Sequence, residues 1–421
     1  MLAEFGLGMM LKAFSAIEAV HRPIAGLGRV TGDFSVLHGS TGFISFLFAA
    51  TAPVAILLDI GIKGGLSEAQ MSSWIFAGFF VGGIATIVVS LLYRQPMVFF
   101  WTIPGMVLVG PALTHLSLAQ VIGAFYATAA LLLVLGLSGW VQRIMARLPM
   151  AIIMGMVAAV FIRFGLGLVT ALRDDIWIAL PMTAVFVLLT LSPSLSRRLP
   201  PLIAVLVVGV IAVALQGSFK PVEAISFTIV SPVFTRPEFS VQALAELVLP
   251  LAITVLAAQN AQGIGILASA GHRPPVNTIT VTCGVAASFT AGMGSVGTCL
   301  TGPVNAIICA AGGRETQYSG AVFVGLLAIL YGLAAPMITR LLLATPPAFI
   351  ATLAGLALLR VLQSAFVASF QGRFTLGALV TFLVTLSEVA IFNIGAPFWG
   401  LVFGFTTSWL LERDDFKAEE A

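Results

Sequence analysis

Between Ala291 and Gly313 the sequence AGMGSVGTCLTGPVNAIICAAGG is too apolar for a surface loop and too interrupted for an unbroken helix. Gly292, Gly294, Gly297 and Gly302 lower helix propensity through it. Pro303 suits a first helical turn, where an N–H would have no intrahelical partner anyway. Thr298 and Thr301 are of the residue type that caps a helix start. The stretch therefore reads as a half-helix that begins near the middle of a membrane. Irregular backbone at that depth has to be enclosed by protein or line a cavity, because lipid offers no hydrogen bonds. Taken alone, the segment also fits an ordinary transmembrane helix with a tolerated kink.

A second copy sharpens the reading. In MVFFWTIPGMVLVGPAL, from Met97 to Leu113, a β-prone run (Val98, Phe99, Phe100, Trp101) is followed by Thr102, Pro104 and Gly105, which open a helix. Adding 197 to Gly105 gives Gly302, and the same increment carries Pro149 to Pro346, Ala151 to Ala348 and Arg163 to Arg360. Distant anchors at one offset predict an internal duplication. Paired broken segments in corresponding halves are the best sequence pointer to a transporter's binding site.

Charged residues make up 9% of the chain and hydrophobic residues 59%, whereas soluble domains carry about 25% charge. That excludes a water-soluble globule. With about 20 apolar residues needed per crossing, roughly fourteen segments are expected: 41–59, 69–92, 97–114, 117–140, 149–171, 175–192, 200–216, 243–268, 275–291, 294–312, 317–340, 347–366, 374–392 and 396–411. The predicted fold is an all-α polytopic membrane protein whose segments 3 and 10 are half-helices preceded by short strands. Residues 1–40 form an N-terminal cytoplasmic or interfacial segment, 41–216 the first repeat, 217–242 an external connecting loop, 243–411 the second repeat and 412–421 a C-terminal cytoplasmic tail. An odd number of spans per half makes the two repeats inverted.

Thirteen Lys and Arg residues fall on one side of this arrangement and five on the other, which places both termini in the cytoplasm. No cleavable leader is read at the start. Leu2, Phe5, Met9, Met10, Phe14 and Ile17 recur at helical spacing, which suits an amphipathic surface helix and equally a loosely ordered tail. Three cysteines, Cys283, Cys299 and Cys309, give no disulfide framework.

Enzyme signatures are absent, as are features calling for a cofactor, a metal or nucleic acid. His21, His38, His115 and His272 are scattered without metal-ligand spacing, and no phosphate-cradling loop precedes a lysine. What the membrane interior offers instead is neutral polar groups near helix ends. Gln259, Asn260 and Gln262 lie about two-thirds along the eighth segment, and amides in lipid must face protein or water. A structural bond between helices would satisfy them as well as a ligand would. Thr51 occupies the matching place in the first segment, where Pro53 can open the helix. Two half-helix N-termini facing one cavity present free N–H groups and a partial positive charge, a site suited to an anion. Phe99, Phe100 and Trp101 can supply an aromatic wall or plain core bulk. Asn305 faces the cavity or caps a neighbouring helix. Arg163 and Arg360 suit snorkelling to the interface, and Glu388 stands out as the most deeply placed acid.

YRQPMVFFWTIPGMVLVGPAL resembles the third-segment motif of the benzoate/proton symporter family. LPMAIIMGMVAAVFIRFG resembles that family's fifth segment, and AAQNAQGIGIL followed by GHRPPVN its eighth segment and the loop after it. The similarity runs from about Ser40 to Phe366, with a departure at Val296 and Cys299, where the family tends to carry a histidine and an asparagine. The resemblance implies a fold of seven plus seven inverted segments, shared with nucleobase–ascorbate and sulfate-type anion transporters. A core domain (segments 1–4 and 8–11) would hold substrate between the third and tenth half-helices and move against a gate domain (5–7 and 12–14), often in a homodimer. Carried over position by position, the implied substrate-binding residues are Thr51, Trp101, Thr102, Gly105, Gln259, Asn260, Thr298 and Gly302. The expected function is proton-coupled symport of a small organic anion such as benzoate, across the cell inner or plasma membrane, by an elevator movement. A nucleobase or inorganic-anion transporter, or an anion channel of the same fold, is the alternative.

Overall fold

Sequence-local signals set most helix starts. In the computed structural model, which describes residues 17–20, 23–141, 149–192, 199, 201–219, 228–310, 312–389, 391 and 396–417, the chain opens with α1 (Leu27–Asp33), α2 (Val36–Lys63) and α3 (Glu68–Tyr93). The amphipathic helix expected before Ile17 lies outside the described residues. Ser67 caps α3 reciprocally with Gln70, and Ser117 and Gln120 repeat the device at α5 below. There follow strand β1 (Phe99–Trp101), α4 (Ile103–Ala112), α5 (Leu118–Ser138), α6 (Met150–Asp174), α7 (Ile176–Leu191) and α8 (Pro201–Gln216). The second half comprises α9 (Val241–Ser269), α10 (Val276–Ala291), β2 (Thr298–Leu300), α11 (Gly302–Cys309), α12 (Gln317–Leu333), α13 (Ala335–Leu343), α14 (Pro347–Phe370), α15 (Thr375–Ser387), α16 (Ala396–Leu411) and α17 (Arg413–Lys417).

By length and apolarity six of these helices can cross a membrane, α2, α3, α5, α6, α9 and α14, and a seventh crossing is available if α12 and α13, bent by 69°, act as one. Shorter apolar helices lie in the third, sixth, seventh, ninth, thirteenth and fourteenth expected segments. Pro53 does not open α2, which runs through it. The Tyr331 hydroxyl donates to the Ala50 carbonyl in that turn (2.8 Å). The thirteenth segment ends early, at Ser387, because Glu388 takes a left-handed conformation (φ 59°) that a helix cannot continue through. In the tenth segment the helix occupies only Gly302–Cys309, the residues before it being turn and strand.

Helices α6 and α14 pack together, as do α3 with α12, α5 with α10, α7 with α8 and α15 with α16. Exchanging each segment for the one seven later maps the α3–α12 pair onto α10–α5 and the α7–α8 pair onto α15–α16, and leaves α6–α14 in place. Membrane helices lack a hydrophobic drive toward each other and rely on close approach of small residues. A methyl group on Gly83 would sit 2.7 Å from the Gly325 carbonyl, and one on Gly325 2.8 Å from that of Gly83, so α3 and α12 touch backbone to backbone. The second part of the long connection is tied down: Val230, Thr235 and Glu238 donate their N–H groups to the carbonyls of Leu333, Gly292 and Ala119. Residues 220–227 of that loop lie outside the described residues.

Candidate functional site

The two short strands form an antiparallel ribbon in the middle of the fold, pairing Phe99 with Leu300, Phe100 with Cys299 and Trp101 with Thr298. Thr102 N–H to Gly297 O (3.0 Å) and Thr301 N–H to Val98 O (2.9 Å) extend the ladder one step at each end. A two-stranded ribbon leaves its outer backbone groups unpaired, and lipid cannot satisfy them. Side chains do so here. Thr86 Oγ1 accepts from Phe99 N–H (2.9 Å), Asn305 Oδ1 from Val98 N–H (3.0 Å) and Asn260 Oδ1 from Leu300 N–H (2.8 Å). Space for the ribbon is left by glycines of α3. A Cβ on Gly78 would lie 2.0 Å from the Trp101 ring, and one on Gly82 2.4 Å from the Phe99 carbonyl.

The ribbon aims two half-helices away from its centre. At α4, Thr102 Oγ1 caps the Gly105 N–H (3.2 Å) and Pro104 occupies the first turn. At α11, Thr301 holds the cap position and Pro303 the first turn, but the Thr301 hydroxyl makes no capping bond, and its buried Oγ1 has no oxygen or nitrogen partner, only the Cys299 thiol beside it. The first-turn N–H groups of α11 therefore lack a side-chain cap. Thr298, expected as a cap, lies in β2 instead.

Between the half-helix starts lies a cavity of about 80 Å³. Its polar wall is Gln259, Gln262 and Thr301, and its apolar wall includes Phe79, Phe100 and Trp101. Phe79 anchors the aromatic side, with ring centroids 5.0 Å from Phe100, 5.0 Å from Trp101 and 4.6 Å from Tyr331. Phe161 of α6 and Ala357, Leu358 and Val361 of α14 close the far side. Helix α9 contributes through a π-helical stretch, Thr254–Asn260. Such stretches recur at functional sites. Here adjacent amides diverge, Asn260 to strand β2 and Gln259 to the cavity.

Of the eight residues expected to hold substrate, Trp101 and Gln259 line this cavity. Thr102 is the cap just behind it, and Gly302 abuts the cavity residue Gln262, whose side chain a Cβ there would meet at 2.7 Å. The other four are turned elsewhere. Thr51 Oγ1 donates to the Leu47 carbonyl of its own helix (2.9 Å), and Gly105 faces Thr254 and Leu251 of α9. Asn260 braces β2, and Thr298 is buried in the ribbon. Asn305 neither faces the cavity nor caps a helix, since its Oδ1 holds β1. Gln262 and Thr301 complete the polar wall. The sequence carried a signal for Gln262, three residues after Gln259 and so on the same helical face.

Glu388 is not the most deeply placed acid. It is 59% exposed and pairs with Arg163, whereas Glu246 is 5% exposed and meets His115 Nε2 at 3.0 Å. Arg360 reaches Gln363 on its own helix (3.2 Å) and faces outward.

Comparison with known proteins agrees with this architecture. A structure of the transmembrane domain of the cyanobacterial bicarbonate transporter BicA superposes with a TM-score of 0.58 at 15% identity, covering 92% of this chain and 99% of that one. Murine Slc26a9, an anion transporter captured inward-facing, superposes with a TM-score of 0.61 at 14% identity, covering 94% of this chain and 73% of that one. These likenesses establish the fold. In sequence, the inner membrane protein YdcO of Escherichia coli K12 is 31% identical over 370 residues, 86% of this chain and 93% of that protein. A benzoate membrane transport protein of Acinetobacter baylyi is 29% identical over 387 residues, 90% of this chain and 96% of that protein. The family model described as benzoate membrane transport protein matches residues 32–410. With nine-tenths of the chain matched, this protein belongs to the benzoate membrane transport family.

Proposed function

We propose that the chain is a secondary active symporter that couples protons to the movement of a small aromatic carboxylate such as benzoate. The observation that carries this reading is the cavity between the two half-helix starts, which offers an aromatic wall to a ring and amides, a hydroxyl and uncapped N–H groups to a carboxylate. Among the described residues no carboxylate lines it, so an anion meets no like charge from them. Gln259, Gln262, Thr301 and the start of α11 would bind the carboxylate, with Trp101 and Phe100 against the ring. Thr102 and Gly302 shape the pocket, and Thr51, Gly105, Asn260 and Thr298 support it from behind.

The exchange symmetry of the helix contacts supports two inverted repeats of seven segments, 41–216 and 243–411, joined by the loop 217–242. Segments 1–4 and 8–11 then form the core, and 5–7 and 12–14 the gate. The cavity lies between them, with Phe161, Ala357, Leu358 and Val361 on the gate side. An elevator movement of the core against that apolar face would carry substrate across. A homodimer in the inner membrane, with both termini cytoplasmic, is the assembly we infer.

The test is uptake of labelled benzoate into proteoliposomes under an acid-outside gradient, with bicarbonate, chloride and uracil as competitors. Gradient-dependent accumulation, competed by aromatic acids alone, is expected. Competition by inorganic anions or uracil in its place would move the protein to another substrate class. Passive, non-saturating flux would make it a channel.

A further inference from the structure

A second, larger cavity of about 310 Å³ opens beside the far end of α4. Its core-side wall carries Asp59, Lys63, His115 and Glu246, and its other wall carries Arg163 and Glu388 with the apolar Ala159, Val160, Phe164 and Ala351. Four of the six ionisable groups are already spoken for. Lys63 Nζ lies 2.8 Å from Asp59, and Arg163 pairs with Glu388. What remains is the couple between His115 Nε2 and Glu246 Oε2, 3.0 Å apart.

That couple is unlike the others. Glu246 is 5% exposed while His115, at 36%, reaches the open cavity, so a buried acid communicates with water through one imidazole. Glu246 sits in the first π-helical stretch of α9, Leu244–Val248. Among the helices packed on that stretch, α5 and α16 contribute no carboxylate, lysine, arginine or histidine. On its own helix and on α4 no other ionisable side chain faces it. The Thr114 hydroxyl near His115 Nδ1 (3.4 Å) is the ring's other neighbour.

We propose that the His115–Glu246 couple is the proton-binding site of the transport cycle, an inference that rests on the symport reading above. One proton makes the pair neutral overall, whether it sits on the carboxylate or the imidazole. Without it the pair carries a net negative charge. Sliding the core would draw this pair along α6 and α14, past the Arg163–Glu388 pair and the apolar Ala159, Val160, Phe164 and Ala351, a passage strongly disfavoured for a net charge in a membrane interior and permitted for a neutral pair. On the loading side a proton from water forms a bond to His115 Nε2 or Glu246 Oε2. On the releasing side that bond breaks and the proton returns to water. Both α4 and α9 run from this couple to the substrate cavity, so the site that holds the proton and the site that holds the anion ride on the same two helices.

The experiment compares wild-type protein, E246Q and H115Q in proteoliposomes with labelled benzoate, by counterflow without a gradient and by net uptake with acid outside. Expected is counterflow within about twofold of wild type in E246Q, with accumulation falling to its no-gradient level. H115Q should move the pH midpoint of uptake while keeping counterflow. Gradient-driven accumulation retained in E246Q overturns the proposal and leaves the symport reading standing. Wild-type protein that exchanges benzoate yet ignores the gradient overturns the symport reading itself. Should E246Q not fold, H115Q decides: an unchanged pH midpoint in that variant counts against the couple. Proton uptake on benzoate binding, followed with a pH dye in weak buffer, should be lost in E246Q.

Discussion

Thr301→Val and Thr102→Val are the same substitution at the N-cap positions of the two half-helices, and they should change stability in opposite directions. Thr102 Oγ1 holds the Gly105 N–H at 3.2 Å. Removing a cap of this kind costs about 0.5–2 kcal/mol. Thr301 Oγ1 is buried with no oxygen or nitrogen partner and only the Cys299 thiol beside it, a weak one, and an under-satisfied buried hydroxyl carries a penalty of about 1–3 kcal/mol. Valine keeps the shape and removes the penalty, so T301V should make the ligand-free protein more stable by about 1 kcal/mol, a rise of roughly 1–2 °C in Tm for a chain of this size. In the same variant a carboxylate loses a hydrogen bond to charge worth about 1.5–3 kcal/mol, and benzoate affinity should fall roughly 10- to 150-fold. Thermal unfolding in detergent, with and without saturating benzoate, reads both quantities. A T301V protein that is less stable without ligand, or that binds benzoate as wild type does, would refute the assignment of Thr301 to the ligand.

Neighbouring amides on α9 should separate in the same assay. Gln259→Ala should weaken binding at least tenfold with Tm little changed, whereas Asn260→Ala leaves the Leu300 N–H unpaired in the fold and should cost about 1–3 kcal/mol of stability. Gly82→Val drives a side chain into the Phe99 carbonyl, which a Cβ alone would meet at 2.4 Å, and folded yield should collapse. Glu412 gives a pH prediction. Burial pushes its carboxyl up, but hydrogen bonds from the Ser408 hydroxyl and the Leu376 and Gly377 N–H groups outweigh it and hold the group below its ordinary 4.5. A carboxylate depressed in the folded state stabilises above its unfolded value and loses that contribution as pH falls through the folded one. Tm should therefore drop across that acid window in wild type and drop less in E412Q.

The broken segments, the strands before them and the aromatic run were legible because glycine, proline and β-branched or aromatic residues act locally. The offset of 197 between Gly105 and Gly302 exposed the second copy for the same reason. What could not be read was direction. Gln259 and Asn260 are adjacent amides in an apolar helix, about 100° apart on any regular turn, and only packing decides that one turns to the cavity and the other to a strand 40 residues later. The π-helical stretch that holds both leaves no compositional mark. The far wall of the cavity was equally silent, because Phe161, Ala357, Leu358 and Val361 look like lipid-facing residues until α6 and α14 are seen packed beside the half-helices. Glu246 escaped because it opens its segment, where acids are ordinary, and only the fold buries it against His115.

A polar residue inside a membrane must bond to something, and the ribbon shows how far that requirement goes before any ligand is considered. Its N–H groups left out of the ladder take one oxygen each from Thr86, Asn260 and Asn305, so these three would be needed even in a protein that carried nothing. Their presence in apolar helices is explained by backbone, and replacing them should unfold the ribbon before it touches affinity. The polar atoms that the ribbon does not use are a different set. Gln259, Gln262 and Thr301 all border one cavity, and no backbone group there needs them. Evolution of substrate preference within this fold should therefore run through those three positions and the aromatic residues opposite, while Thr86, Asn260 and Asn305 stay fixed by the ribbon. Grafting a carboxylate at Gln259 makes the point testable. Gln259→Glu keeps every backbone bond and should fold, yet it sets a like charge against an anion at hydrogen-bond range, and should abolish benzoate binding at neutral pH and restore part of it as the new acid is protonated.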